Sequence, residues 1–187
     1  MNELWWYVAR SSGIVAWALV AASVLWGLFI STRAVGKRVR PNWMLDLHRF
    51  LGGAGVVFVA VHVLSLVADS YVHFGLVSLL VPFASTWHPV AVAWGIVAMY
   101  LLLAVEITSL LRRKLPPKVW RATHALAFPL FALSTIHGLT AGTDGSGALL
   151  RIVMASTVGA VAVLTWERVR ERRAPKTTPR PRIVTTV

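Results

Sequence analysis

The chain has 187 residues, of which 57% are hydrophobic and only 14% are charged, and its mean hydropathy is +0.67. A soluble domain ordinarily carries about a quarter charged residues, so this composition argues against a soluble protein and indicates an integral membrane protein. No cysteine is present, which excludes disulfides, thiolate metal sites, cysteine-ligated haem and iron–sulfur clusters.

Five apolar segments are long enough to cross a bilayer, which takes about 20 residues of helix. Because the backbone in lipid must satisfy its own hydrogen bonds, we expect all five to be helical. The sequence therefore predicts one all-α transmembrane domain, residues 1–168, followed by a basic, disordered tail, residues 169–187. In chain order, the predicted spans are Leu4–Ile30, Trp43–Ala68, Val90–Leu111, Val119–Ala141 and Leu149–Trp166.

The first span begins "MNELWWYVAR" without a basic region before it, so we expect a retained helix rather than a cleavable signal peptide. Lys and Arg are concentrated between spans one and two, between spans three and four, and after span five, whereas the loops 69–89 and 142–150 contain none. Since basic loops stay on the cytoplasmic side, this distribution predicts an external N-terminus and a cytoplasmic C-terminus. The net charge of +12 is therefore explained by basic loops that determine the orientation in the membrane, and no nucleic-acid partner is expected.

Two connecting segments have predictable features. The loop "DSYVHFGLVSLLVPFASTWHP" has an apolar middle and is expected to form a short helix at the outer interface. The fourth span is expected to begin near Pro117, which suits a first helical turn, and to end at the glycine-rich turn "HGLTAGTDGSG".

Four of the six histidines lie inside two predicted spans, His48 and His62 on the second and His124 and His137 on the fourth. Both spans follow cytoplasmic loops and so run in parallel. The spacings of 14 and 13 residues correspond to about 21 and 19.5 Å of helix. The sequence therefore predicts one pair near the inner face and one near the outer face, which is the geometry of two stacked bis-histidine haems.

Helical phase supports the pairing on the second span and requires a distortion on the fourth. A spacing of fourteen residues brings His48 and His62 to nearly the same face of an ideal helix. A spacing of thirteen residues ends about 140° short of four whole turns, so His124 and His137 would lie on different faces of an ideal helix. Pro129, between His124 and His137, is expected to kink and retwist that helix.

The same face of the second span carries Gly52 and Gly55. Glycine there either makes room for a porphyrin or permits close packing of helices, and the sequence leaves both interpretations open.

Intramembrane histidines also serve proton relays and transition-metal transport. A metal pathway would favour nearby carboxylates or thiolates, but the only deep acidic residue is Glu106 and cysteine is absent. Haem is therefore the favoured interpretation.

The segments "LHRFLGGAGVVFVAVH" and "WRATHALAFPLFALSTIHG" make the chain similar, over about residues 10–165, to the ferric reductase-like transmembrane domain. That domain is shared by ferric reductases, NADPH oxidases and the haem subunit of the bacterial periplasmic methionine sulfoxide reductase system. The resemblance implies two b-type haems, an inner one ligated by His48 and His124 and an outer one ligated by His62 and His137.

Haem propionates are anionic and call for cations near the membrane boundaries. Arg49 and Arg121 suit the inner haem, whereas Arg10 and Arg151 lie towards the outer end. Arg121 and Arg151 have an equally good alternative role, in which they reach lipid phosphates.

The resemblance also implies a function. We expect a transmembrane oxidoreductase, or an electron-transfer subunit of one, that moves electrons from a cytoplasmic flavoprotein or quinol to an external acceptor such as ferric iron or a periplasmic reductase. Oxidases with this domain continue into flavin and nicotinamide domains, so the chain looks like the stand-alone bacterial form, with any flavin supplied by a partner. The alternative is a non-redox permease component or assembly partner.

Overall fold

A computed structural model describes residues 3–32, 42–69, 75–141 and 147–173. Within these ranges the chain is all helical, without strands, and five of its helical segments are long and apolar enough to span a membrane. The predicted all-α, five-span architecture is thus confirmed. The helices are α1 (Glu3–Ser31), α2 (Asn42–Ala68), α3 (Leu76–Leu80), α4 (Pro89–Leu110), α5 (Pro117–His124), α6 (Ala127–Thr140) and α7 (Ala148–Arg173).

The bundle is built from two antiparallel pairs of helices. In the first pair α1 packs along α2, with the Trp26 indole donating to the carbonyl oxygen of Met44 at 2.8 Å. In the second pair α4 packs along α6. We call the end of the bundle where α4 finishes and α5 begins the basic end, because Arg112, Arg113, Lys114 and Lys118 lie there, and the opposite end the far end.

The core lies where α1, α6 and α7 meet. Trp17 is 7% exposed and packs with Phe131 and Met154, and its indole nitrogen donates to Thr135 Oγ1 at 3.0 Å. This buried hydrogen bond joins the two helix pairs and satisfies the only polar atom of an otherwise apolar side chain. The helix α7 packs against α1 from outside and contributes none of the four paired histidines.

The fourth span is broken, as Pro129 predicts. The helix α5 ends at His124 and α6 begins at Ala127, and across the break the Phe128 N–H donates to Ala125 O at 3.2 Å. Proline has no N–H to donate to the carbonyl four residues earlier, here that of Ala125, and its ring crowds that carbonyl. The chain therefore tightens by one turn, and this rotates α6 relative to α5.

Several predictions concern the segments that connect the spans and the tail that follows them. The short helix expected in the loop after span two is present as α3, and α5 begins at Pro117. The glycine-rich turn after α6 falls on residues 142–146, outside the described ranges. The helix α7 continues through Arg173, so the first five residues of the predicted tail are helical. Arginines in a last helical turn interact favourably with the helix dipole, and residues 174–187 lie outside the described ranges.

Candidate functional site

The bundle brings the four intramembrane histidines together as two pairs between α2 and the fourth span. At the basic end, the ring centres of His48 and His124 lie 6.0 Å apart with an interplanar angle of 78°. At the far end, those of His62 and His137 lie 6.3 Å apart at 77°. The broken helix has therefore turned both fourth-span imidazoles towards α2.

The spacing within each pair suits two ligands on opposite faces of one metal. Imidazole nitrogen lies about 2 Å from a first-row metal and about 1 Å from its own ring centre, so two such ligands place their ring centres about 6 Å apart. Among the described residues, no group of three or more His, Cys, Asp or Glu side chains could hold a metal ion. Each pair thus fits a metal whose remaining ligands come from elsewhere, as in a porphyrin.

Hydrogen bonds orient the far-end imidazoles. Nδ1 of His62 donates to the carbonyl oxygen of Ala9 on α1 at 2.7 Å, and Nδ1 of His137 donates to that of Ala91 on α4 at 2.8 Å. Because a carbonyl only accepts, Nδ1 carries the proton and Nε2 keeps its lone pair. This is the tautomer that ligates a metal through Nε2, with ring orientation held by the second hydrogen bond.

The basic-end imidazoles have hydroxyl partners instead. Nδ1 of His48 lies 3.3 Å from Ser23 Oγ on α1, and Nδ1 of His124 lies 3.5 Å from Ser109 Oγ on α4. In both pairs, then, α1 orients the histidine of α2 and α4 orients that of the fourth span. The contacts at the basic end are longer and therefore weaker than those at the far end.

Three glycines make room for these rings. A Cβ at Gly95 would lie 2.7 Å from Nδ1 of His137, one at Gly13 would lie 3.0 Å from Nδ1 of His62, and one at Gly27 would lie 3.1 Å from Cε1 of His48. None of the three is predicted by the sequence reasoning above. The sequence nevertheless contains a pattern that could have indicated two of them, because Ala9–Gly13 on α1 and Ala91–Gly95 on α4 have the same four-residue spacing.

The two glycines singled out from the sequence have protein neighbours. The position that a Cβ on Gly52 would need is filled by the carboxyl group of Glu106 on α4, and the corresponding position at Gly55 lies 3.7 Å from Val20 on α1. Both glycines therefore permit helices to approach closely, and a role beside a porphyrin stays a prediction.

Comparison with known proteins identifies the family. The family model of the ferric reductase like transmembrane component matches residues 12–135, about two thirds of the chain. The chain belongs to this family. Neither curated proteins nor solved structures give a significant match.

Family membership supports a transmembrane oxidoreductase with a role in membrane electron transfer, and domains of this kind generally bind haem. The match includes His48, His62 and His124 but ends two residues before His137. The inclusion of His137 in the site therefore rests on its spacing and on its contacts with Ala91 and Gly95.

An aromatic stack adjoins the basic-end pair of this ferric reductase-like domain. The Trp120 ring stacks on His124 with centres 5.2 Å apart at 21°, and the Arg112 guanidinium lies 4.5 Å above the Trp120 ring. The indole N–H of Trp120 is buried without a hydrogen-bond partner among the described residues. A buried donor of this kind calls for an acceptor, and an anionic group bound beside His124 would supply one.

The predicted arginines occupy varied surroundings. Arg10 is partly buried on α1, with its guanidinium 4.3 Å from the centre of the Trp6 ring. Arg49 is 64% exposed and pairs with Asp46 at 3.1 Å. Arg121 and Arg151 are exposed, on α5 and α7 respectively. Arg112, in contrast, contacts the Trp120 ring that stacks on His124. Contacts of Arg10, Arg49, Arg121 and Arg151 with haem propionates stay predictions.

Proposed function

We propose that this protein holds two b-type haems and transfers electrons across the membrane between them. One observation carries the proposal: two imidazole pairs lie at opposite ends of the same helices, each with ring centres about 6 Å apart and each ring engaged through Nδ1. His48 and His124 would ligate one iron, and His62 and His137 the other. The family's general haem binding supports this assignment.

The residues around the basic-end pair fit a haem in a further respect. The indole N–H of Trp120, which has no partner among the described residues, and the guanidinium of Arg112 above it would together donate to an anionic propionate beside His124. One-electron reduction and reoxidation is the chemistry that a haem supplies when bound. With histidines on both faces, the iron would have no open position for oxygen or substrate, so we expect electron transfer through the haem edge.

The protein's own groups would tune this transfer. Each Nδ1 hydrogen bond increases electron donation by the imidazole and so stabilises the ferric state. The carbonyl partners at the far end are stronger acceptors, and closer, than the serine hydroxyls at the basic end. By this effect alone, the far-end site would have the lower potential.

The charge distribution supports a direction of electron transfer and a class of electron donor. Basic loops favour the cytoplasm, so the basic end would face inwards and electrons would enter at His48 and His124. The four cations at that end would steer a flavoprotein with an acidic face, and quinol is the alternative donor. Electrons would leave at the far end to ferric iron or to a periplasmic reductase, and the membrane would be the bacterial inner membrane.

Haem content tests the proposal. Purified protein should give a pyridine haemochrome ratio near two haems per chain, with split reduced b-type bands. His62→Ala should lose the far-end haem and His124→Ala the basic-end haem, each leaving about one. His88→Ala, an exposed histidine of the loop before α4, is the matched control and should keep both. Colourless protein would instead favour a permease component, and a ratio near one in fully loaded protein would refute the two-haem assignment.

A further inference from the structure

Glu106 is an acidic side chain placed differently from the others in the spans. It lies on α4 one turn before the helix ends at the basic end, is partly buried, and faces α2 inside the bundle. By contrast, Asp46 pairs with Arg49 at 3.1 Å and Glu167 pairs with Arg170 at 3.2 Å. Membrane spans rarely keep an ionisable group that faces the bundle interior unless it has a function.

The carboxyl group of Glu106 lies on the histidine-bearing face of α2. It fills the space beside Gly52, and Gly52 is one helical turn from His48 on the same face as both α2 ligands. Ser109, one turn after Glu106, contacts His124. The carboxyl group therefore lies about one helical turn from the basic-end pair, on the side that faces the far-end pair.

The described residues give this carboxyl group no arginine or lysine partner. Arg112, the nearest cation along the same chain segment, is stacked on Trp120 instead. The ionisable groups on the helices that pack most extensively against α4 are Asp46, His48, Arg49 and His62 on α2, Lys118, Arg121 and His124 on α5, and His137 on α6. Arg49 of this set is paired with Asp46, and Lys118 and Arg121 are exposed. The imidazoles of His48 and His124 are therefore the ionisable groups one helical turn from Glu106, and Arg112 and Arg168 lie close enough to His124 to interact with it electrostatically.

A ferric haem with two neutral imidazole ligands would carry one net positive charge, and one-electron reduction would remove that charge near a carboxylate that has no ion-pair partner among the described residues. The carboxylate would then lose an attraction that is strong in a medium of low dielectric, and its affinity for a proton would rise. We propose that Glu106 takes up a proton when the basic-end haem is reduced, so that electron entry is coupled to protonation. This inference rests on the di-haem function proposed above.

The coupled step balances. One electron would pass from the cytoplasmic donor to the haem that His48 and His124 would hold, and one proton would pass from the cytoplasmic solution to the Glu106 carboxylate. When the electron moved on to the far-end haem, the Glu106 carboxyl group would release its proton. The far-end pair lies about 20 Å away along the helix and should not share this coupling.

A redox titration of the two haems at several pH values tests the inference. In the wild type, the midpoint potential of the basic-end haem should fall as pH rises, by up to about 59 mV for each tenfold decrease in proton concentration. Glu106→Gln should flatten this dependence at the basic end and leave the far-end haem unchanged. Haem propionates also titrate, but they contribute equally to both proteins and cancel in the comparison.

Two further variants sharpen the test. Glu167→Gln removes a carboxylate near the basic end that is paired and 40% exposed, and it should keep the wild-type pH dependence. Gly52→Ala places a methyl group where the Glu106 carboxyl group lies, and this carboxyl group can rotate away. We therefore expect Gly52→Ala to alter the pH dependence of the basic-end potential.

The outcomes separate the inference from the function on which it rests. Two haems whose potentials depend on pH identically in wild type and Glu106→Gln would overturn the role of Glu106 and leave the di-haem function intact. Absence of haem from the wild type would refute the function itself. If Glu106→Gln does not accumulate, Gly52→Ala decides, and an unchanged basic-end dependence in that variant would overturn the inference.

Discussion

The glycine beside each orienting contact offers a graded test of the histidine geometry, and Gly95→Ala is its most severe case. The new Cβ would lie 2.7 Å from both Nδ1 and Cε1 of His137, whereas ordinary contacts begin at 3.4 Å. The imidazole must therefore move by about 0.7 Å, although its Nδ1 hydrogen bond to Ala91 holds it on the same side. A metal–nitrogen bond of about 2 Å cannot accommodate a shift of this size without breaking or drawing the helix with it.

Three free-energy contributions determine whether Gly95→Ala stabilises or destabilises the protein. Alanine is a better helix former than glycine by about 0.5–1 kcal/mol, which alone would stabilise the variant. Overpacking in a close-packed interior costs about 1–3 kcal/mol, and loss of the Ala91 hydrogen bond adds about 1 kcal/mol. The net effect is destabilisation of the far-end site, and we expect Gly95→Ala to lose the far-end haem selectively.

Haemochrome ratio and low-spin electron paramagnetic resonance signals measure this loss. The ratio should fall from about two towards one for Gly95→Ala, while the basic-end signal persists. Gly13→Ala and Gly27→Ala, with closest contacts of 3.0 and 3.1 Å, should have smaller effects at the far and basic ends respectively. Gly53→Ala, which meets nothing within 4 Å, is the control and should retain both haems. Two unperturbed haems in Gly95→Ala would refute the placement of His137.

Three further outcomes are expected. Ser23→Ala removes the hydroxyl group 3.3 Å from Nδ1 of His48 and should raise the midpoint potential of the basic-end haem by tens of millivolts. The midpoint potential of the far-end haem should not change. An unaltered basic-end potential would show that this hydrogen bond does not tune the haem. A cysteine at Ser78 should react with an impermeant reagent in intact cells and one at Thr178 should not, whereas labelling at Thr178 would reverse the orientation. Protein of this sequence should stay oxidised with NADPH alone and be reduced once a flavin reductase is added, more slowly as salt screens the basic end; direct reduction by NADPH would refute the need for a separate donor.

Much of the architecture could be predicted because it depends on local chain geometry. The five spans follow from the length of each apolar run, and the two levels of histidines follow from the rise of a helix over 14 and 13 residues. The break before Pro129 is also local, since proline lacks an N–H and crowds the carbonyl of Ala125. These features needed no knowledge of which helix packs against which.

The contacts that orient the histidines could not be predicted in the same way. In a soluble helix an apolar stripe reveals the buried face, but these spans are apolar all round, so the sequence does not indicate which face meets a neighbour. Rotation of one membrane helix against another is determined by the packing of small residues and by a few polar contacts. Gly13 and Gly95 acquire their role only when α1 and α4 are placed against the two histidine-bearing helices.

The sequence by itself therefore determined the class of protein, its five spans, and the positions of four imidazoles along two of those spans. Only the tertiary structure decided that His48 faces His124, that the Ala9 and Ala91 carbonyls accept from the far-end rings, and that the Glu106 carboxyl group fills the space beside Gly52. Position along a span is a property of a single helix, set by covalent geometry and hydrogen bonds within it. The lateral contacts depend on how residues far apart in the chain pack together, which no local pattern in an apolar span encodes.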